Sequence, residues 1–177
     1  MLGRILAKNK VKLVFGGGNV GLMGEVARAS HDAGGHVTSI VPKAIAQMER
    51  QFDAADETIV TDNMHERKGR MFARSDAFVV LPGGIGTLEE VIEVLSWSYL
   101  GFHAKPIILM NINNYWGPLL YLMTHLVDNK FAKPHLTGSV AGTDALMVAD
   151  KVNEVLPMIK ACLACRHAEA PLFPAYS

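Results

Sequence analysis

The chain has 177 residues, with 17 Lys+Arg balanced by 17 Asp+Glu, half of its residues hydrophobic and only 19% charged. That length and balance exclude a disordered chain and suffice for one domain with a real core, while zero net charge gives no electrostatic reason to expect nucleic acid or an anionic membrane as partner. No apolar run reaches the roughly 18 residues of a spanning helix, the opening MLGRILAKNK lacks the apolar stretch of a secretory signal, and two cysteines make no disulfide framework, so a cytoplasmic domain is expected.

Strand-length apolar runs alternate with helix-period segments along the whole chain. Residues 2–8 read as the last turns of a helix and 11–15 as a buried strand. Gly16-Gly17-Gly18 form a turn, and a helix over 22–33 stops at Gly34-Gly35. Residues 37–41 are a β-branched strand closed by Pro42, and 58–61 are another short one. Asp62 or Asn63 can cap a helix over 64–74. A continuous apolar strand at 77–81 ends in Pro82, followed by a helix at 85–100, a strand at 106–110 and a helix at 116–127. The last strand is expected at 145–149, and Asp150 is expected to cap a helix through Met158 that Pro157 bends or ends. Such alternation predicts βαβ units, a mostly parallel sheet and an α/β three-layer, Rossmann-like fold in a single domain over 1–177. The non-alternating strands agree, because parallel sheets are covered on both faces.

Cys162 and Cys165 are spaced C-x-x-C. A structural zinc site wants four ligands and only His167 is near, and Arg166 stands where haem attachment needs a histidine. They read as two inert small residues on a late helix.

In an open parallel sheet the strand-to-helix turns share one edge, where ligands bind. Three turns here are unusual and should converge on one cleft: residues 16–21, 63–68 and 82–87. The first holds G-x-G-x-x-G at Gly16, Gly18 and Gly21, but the next strand ends Val41-Pro42-Lys43, without the acid that a nicotinamide site uses on the ribose. Plain tight turning accounts for it better. The third, Pro82-Gly83-Gly84-Ile85-Gly86-Thr87, opens a helix and exposes amide donors at the positive end of its dipole, which suits a phosphate. It is not a Walker A loop, since no Gly-Lys-[Ser/Thr] follows.

Glu89 and Glu90 follow in the first turns of a helix that is apolar around most of its girth and is therefore buried, or buried between subunits. Acids there ordinarily serve the dipole; beside a phosphate loop, Glu90 can also polarise or deprotonate a hydroxyl or water. Arg67 and Lys68 sit in the first turns of the preceding helix, where cations are unfavourable unless a phosphate or Glu90 lies close. His65 reads as a capping or packing residue rather than a metal ligand.

Three segments together resemble the LONELY GUY family of cytokinin riboside 5′-monophosphate phosphoribohydrolases: GGGNVGLMG at 16–24, Met64-His65-Glu66-Arg67-Lys68, and residues 82–90, which fit P-G-G-x-G-T-x-x-E. The family was long labelled lysine decarboxylase, but no lysine here has the setting of a pyridoxal phosphate site. The resemblance implies hydrolysis of the N-glycosidic bond of an N6-modified adenosine 5′-monophosphate, giving free base and ribose 5-phosphate without metal or organic cofactor. Its implied catalytic pair is Arg67 and Glu90. Gly83, Gly84, Ile85, Gly86 and Thr87 would take the 5′-phosphate, and Glu49, Lys68 and Glu89 would contact substrate. A homodimer is implied, with the cleft completed across the interface.

Plain AMP cleavage and a non-catalytic nucleotide or molybdenum-cofactor carrier are the alternatives. Met48, Met64, Met71 or Phe72 can line a pocket for the base, though at helical spacing such residues usually belong to a core. Relative to the family, the first strand and its Gly-Ser-Ser-type turn are absent ahead of the helix ending near Lys8. That strand would lie between those at 11–15 and 77–81. The expectation is that ladder groups lose their partners unless the sheet closes differently.

Overall fold

A computed structural model describes residues 1–48, 51–133 and 146–166. Six strands, β1 (Leu13–Phe15), β2 (Val37–Pro42), β3 (Glu57–Thr61), β4 (Phe78–Val80), β5 (Ile107–Met110) and β6 (Leu146–Ala149), alternate with seven helices. The helices are α1 (Leu2–Lys8), α2 (Gly21–His31), α3 (Lys43–Met48), α4 (Met64–Arg74), α5 (Ile85–Tyr99), α6 (Gly117–Asp128) and α7 (Val152–Arg166). The strands form two parallel three-stranded ladders, β1-β2-β3 and β4-β5-β6. Among the described residues no ladder joins β1 to β4. The chain divides into two compact units, residues 1–76 with 81–90, and residues 77–80 with 91 onward.

In the first unit β2 is the middle strand, and all six of its residues are buried. This is why its sequence does not alternate. β3, at the end of the ladder, does alternate in burial, and Val60 on its open face is 52% exposed. Phe15, Ala27, Val37 and Phe52 form a core cluster in which the two Phe rings meet edge to face at 5.9 Å. Helix α1 lies against α2 through Gly3, where a Cβ would come within 2.3 Å of the Val26 carbonyl oxygen.

In the second unit β5 is the buried middle strand. Asn111, at its end, turns the chain into α6: its Oδ1 accepts from the Trp116 amide at 2.8 Å and its Nδ2 donates to Asn114 Oδ1 at 3.3 Å. No described helix is long and apolar enough to cross a membrane.

Two local expectations need correction, and one helix has no counterpart in the sequence reading. Residues 43–48 form α3, which fewer than two turns of sequence leave without a readable period. Pro157 does not end the last helix, which runs on to Arg166 with Val155, Leu156, Ile159 and Cys162 buried. Burial of that face outweighs one lost backbone bond. The start of α7 is capped by Glu154, whose Oε2 accepts from the amides of Asp150 and Lys151, both at 3.0 Å; Asp150 instead accepts from Asn111 Nδ2.

Register between β2 and β3 is set by a reciprocal clamp. The Val37 amide donates to Asp56 Oδ2 at 2.8 Å, and the Asp56 amide donates to the Val37 carbonyl at 2.9 Å. The first of these bonds pulls the Asp56 carboxyl below its ordinary range, against an opposing effect of burial. A lowered carboxylate pKa stabilises the fold above the unfolded-state value near 4 and loses that contribution as pH falls through the folded-state value. Asp56→Asn is therefore expected to cost about 0.5–1.5 kcal/mol at pH 7. The difference from the parent should shrink as the wild-type carboxyl is protonated, and equal destabilisation in thermal melts at pH 7 and at acid pH would refute the clamp.

Candidate active site

Helix α4 begins as its sequence predicts, with Asn63 as the cap: Asn63 Oδ1 accepts from the Glu66 amide at 2.9 Å, and Glu66 Oε2 reaches back to the Asp62 amide at 2.8 Å. Arg67 and Lys68 then fall within the first turns, at the positive end of the dipole. Both are compensated by acids from the start of α5. Arg67 Nη1 donates to Glu90 Oε1 at 2.7 Å, and Lys68 Nζ lies 2.5 Å from Glu89 Oε1. The basic side chains are mostly buried, at 12% and 10% exposure, whereas Glu90 and Glu89 are 37% and 54% exposed.

Arg67 is held at further points. Its Nε donates to the Ile40 carbonyl of β2 at 3.3 Å, and Nη1 also meets Met64 Sδ at 3.2 Å. On another side the guanidinium rests on the first glycine turn, where a Cβ on Gly16 would lie 2.0 Å from Nη2. All three segments singled out in the sequence therefore meet at one side chain.

The glycine-rich residues 82–87 lead into α5, and the Leu88 amide bonds to the Gly84 carbonyl at 3.1 Å. The amides of Ile85, Gly86 and Thr87 are those that an α-helix leaves without an intrahelical acceptor. Around Gly84 and Gly86 there is open space, Ile85 is 84% exposed, and Thr87 folds back so that a Cβ on Gly83 would come within 2.3 Å of its Oγ1. The loop is thus closed by Thr87 on one side and open beyond its two outer glycines, as an anion-binding helix start requires.

Of the residues expected at the site, the structure brings together Arg67, Lys68, Glu89 and Glu90, with residues 83–87 at the start of the same helix. Glu49 lies outside the described residues. His65 is exposed, and among the described residues no group of three or more His, Cys, Asp or Glu can hold a metal ion. Cys162 is buried and Cys165 exposed, both free thiols on α7. Helix α5 is not buried all round: Val91 and Leu95 are, but Ile92 is 40% exposed. Met64 is 38% exposed and engages Arg67 rather than a core.

Sequence reasoning missed the pairing of Lys68 with Glu89. The signal was available, in two consecutive cations early on one helix and two consecutive acids early on the next. It also missed the Ile40 carbonyl and the contact with Gly16, for which no local pattern exists.

These features define a Rossmann-like α/β domain with an Arg–Glu pair beside a glycine-rich helix start. Residues 23–159 match the family model described as possible lysine decarboxylase. The chain is 45% identical over 158 residues to a probable cytokinin riboside 5′-monophosphate phosphoribohydrolase of Oryza sativa subsp. japonica, covering 89% of this chain and 70% of that protein. It is 45% identical over 133 residues to a cytokinin riboside 5′-monophosphate phosphoribohydrolase of Arabidopsis thaliana, covering 75% of this chain and 58% of the relative's length. Among solved structures, the molybdenum cofactor carrier protein of Chlamydomonas reinhardtii matches with a TM-score of 0.67 and 25% identity, over 92% of this chain and 84% of that one. The molybdenum cofactor binding protein of Rippkaea orientalis matches at 0.64, also with 25% identity, over 92% and 83%. The chain belongs to the cytokinin riboside 5′-monophosphate phosphoribohydrolase family.

Arg67 is pinned by the Ile40 carbonyl and Met64 as well as by Glu90. Glu90→Ala is expected to destabilise by about 1–3 kcal/mol, because it strands a mostly buried guanidinium. Urea unfolding of the variant against the parent checks it.

Proposed function

We propose that the chain hydrolyses the N-glycosidic bond of adenosine 5′-monophosphates carrying an N6 substituent, releasing the free cytokinin-type base and ribose 5-phosphate. The observation that carries this reading is the 2.7 Å contact between Arg67, on α4, and Glu90, on the helix that the glycine-rich loop opens. A nucleoside monophosphate presents the matching order of groups: a phosphate for the amides of Ile85, Gly86 and Thr87, then a sugar, then a base.

Cleavage passes through a state with positive charge on C1′ and negative charge on the departing purine. Glu90 spends Oε1 on Arg67, and its Oε2 has no partner among the described residues. That oxygen is the counter-charge for C1′, or the acceptor that orients the attacking water. Arg67 is always protonated, so it stabilises the leaving base by hydrogen bonding rather than by giving up its proton. Water oxygen bonds to C1′, the C1′–N9 electron pair leaves with the purine, and a water proton ends on the base. Lys68 and Glu89 hold the neighbouring edge of the site, and Glu49 is read as a further substrate contact. The reaction asks for no metal or organic cofactor.

The same reading includes a cytoplasmic homodimer, with no nucleic acid or membrane as partner. Ile85 and Ile92 leave an exposed apolar row on α5 that a second copy can cover. A sedimentation experiment is expected to give twice the chain mass. A cofactor carrier, as the structural neighbours are described, needs the phosphate loop but has no use for the Arg67–Glu90 pair.

Incubation with isopentenyladenosine monophosphate and with AMP is expected to release free base, faster from the first. Glu90→Gln and Arg67→Ala should each reduce release by at least about 100-fold, in line with losing a general base or a transition-state donor, with the fold intact by circular dichroism. Near-normal release by either variant defeats the assignment.

A further inference from the structure

The guanidinium of Arg67 has five N–H donors. One, on Nε, goes to the Ile40 carbonyl, and Nη1 directs its two at Glu90 Oε1 and Met64 Sδ. The two on Nη2 have no acceptor among the described residues. Nη2 is also the atom lying against Gly16, 2.0 Å from where a Cβ would be, with Cζ at 3.1 Å and Nε at 3.5 Å from the same point. Because Ile40, Met64 and Glu90 hold the other edges of the group, it cannot retreat from a side chain at position 16 without giving up those bonds.

Gly16 differs here from its neighbour. Gly17 has φ +84° and would press a Cβ to 2.2 Å from Val41 Cγ2, so glycine there answers to backbone conformation and packing together. Gly16 is not among the residues with positive φ, so an alanine could adopt its backbone. What position 16 requires is the empty space that the guanidinium occupies.

We propose that Gly16 is a positioning residue, whose missing Cβ makes room for Nη2 of Arg67 at the first glycine turn and so holds the guanidinium, with that pair of donors left over, where the departing base can meet it. The role rests on the hydrolase reading, while the contact itself does not. It also gives the first glycine turn a task that neither a nicotinamide site nor tight turning explains. The specificity that follows is for a leaving group with acceptor nitrogens facing that edge, as a purine has.

The test is a cycle of Gly16→Ala, Arg67→Ala and the double variant, read in two ways. In urea unfolding, Gly16→Ala is expected to lower the midpoint when Arg67 is present and to leave it unchanged in the Arg67→Ala background. In base release from isopentenyladenosine monophosphate, Gly16→Ala alone is expected to lower kcat by 100-fold or more while KM stays within threefold, since the phosphate loop is untouched. Equal destabilisation in both backgrounds overturns the contact, and an unchanged kcat overturns the positioning role. If the parent itself releases no base, the hydrolase reading fails, and the unfolding cycle still decides whether residue 16 sets the place of Arg67.

Discussion

A guanidinium that is almost out of water needs acceptors, and meeting the Nε and Nη1 donors of Arg67 organises the first unit of this protein. Arg67 would be costly at the start of α4, where the helix dipole already points positive charge at it. It is tolerated because β2 offers the Ile40 carbonyl, α5 brings Glu90, Met64 lends a sulfur from one turn back, and Gly16 clears the space. Each of these groups comes from a different part of the chain. Their agreement on one point ties a strand, a glycine turn and two helix starts into a single arrangement.

The glycines divide the labour. Gly3 allows two helices to touch backbone to backbone, Gly17 supplies a left-handed conformation, Gly83 leaves room for Thr87, and Gly84 and Gly86 leave the start of α5 open. Neighbouring glycines in one motif thus answer to different constraints, so the motif reads as a unit in sequence while its members do separate work. The fold is shared with proteins described as cofactor carriers, and the chemistry is decided by which side chains stand at the turns.

Much of this was legible in advance. Helices α1 and α4 lie where the periodicity puts them, and β2, β3 and β5 follow their β-branched or apolar runs to within a residue or two. Long buried strands and capped helices announce themselves because burial and capping act on the residues that carry the pattern. Helix α3 did not, being too short to show a period, and the continuation of α7 past Pro157 did not, because the packing of Leu156, Ile159 and Cys162 overrides a local breaker.

By itself the sequence determined the α/β class, the three glycine and charge-bearing turns, and the residue types assembled around them, since these rest on hydrophobic period and backbone freedom within a few positions. Only the tertiary structure decided the partners: that Lys68 is spent on Glu89, that Arg67 reaches the Ile40 carbonyl, and that Gly16 matters for its emptiness. The physical reason is range. Propensity and capping are local, whereas the satisfaction of a buried charge depends on atoms 23 and 27 positions away that only folding brings within hydrogen-bond distance.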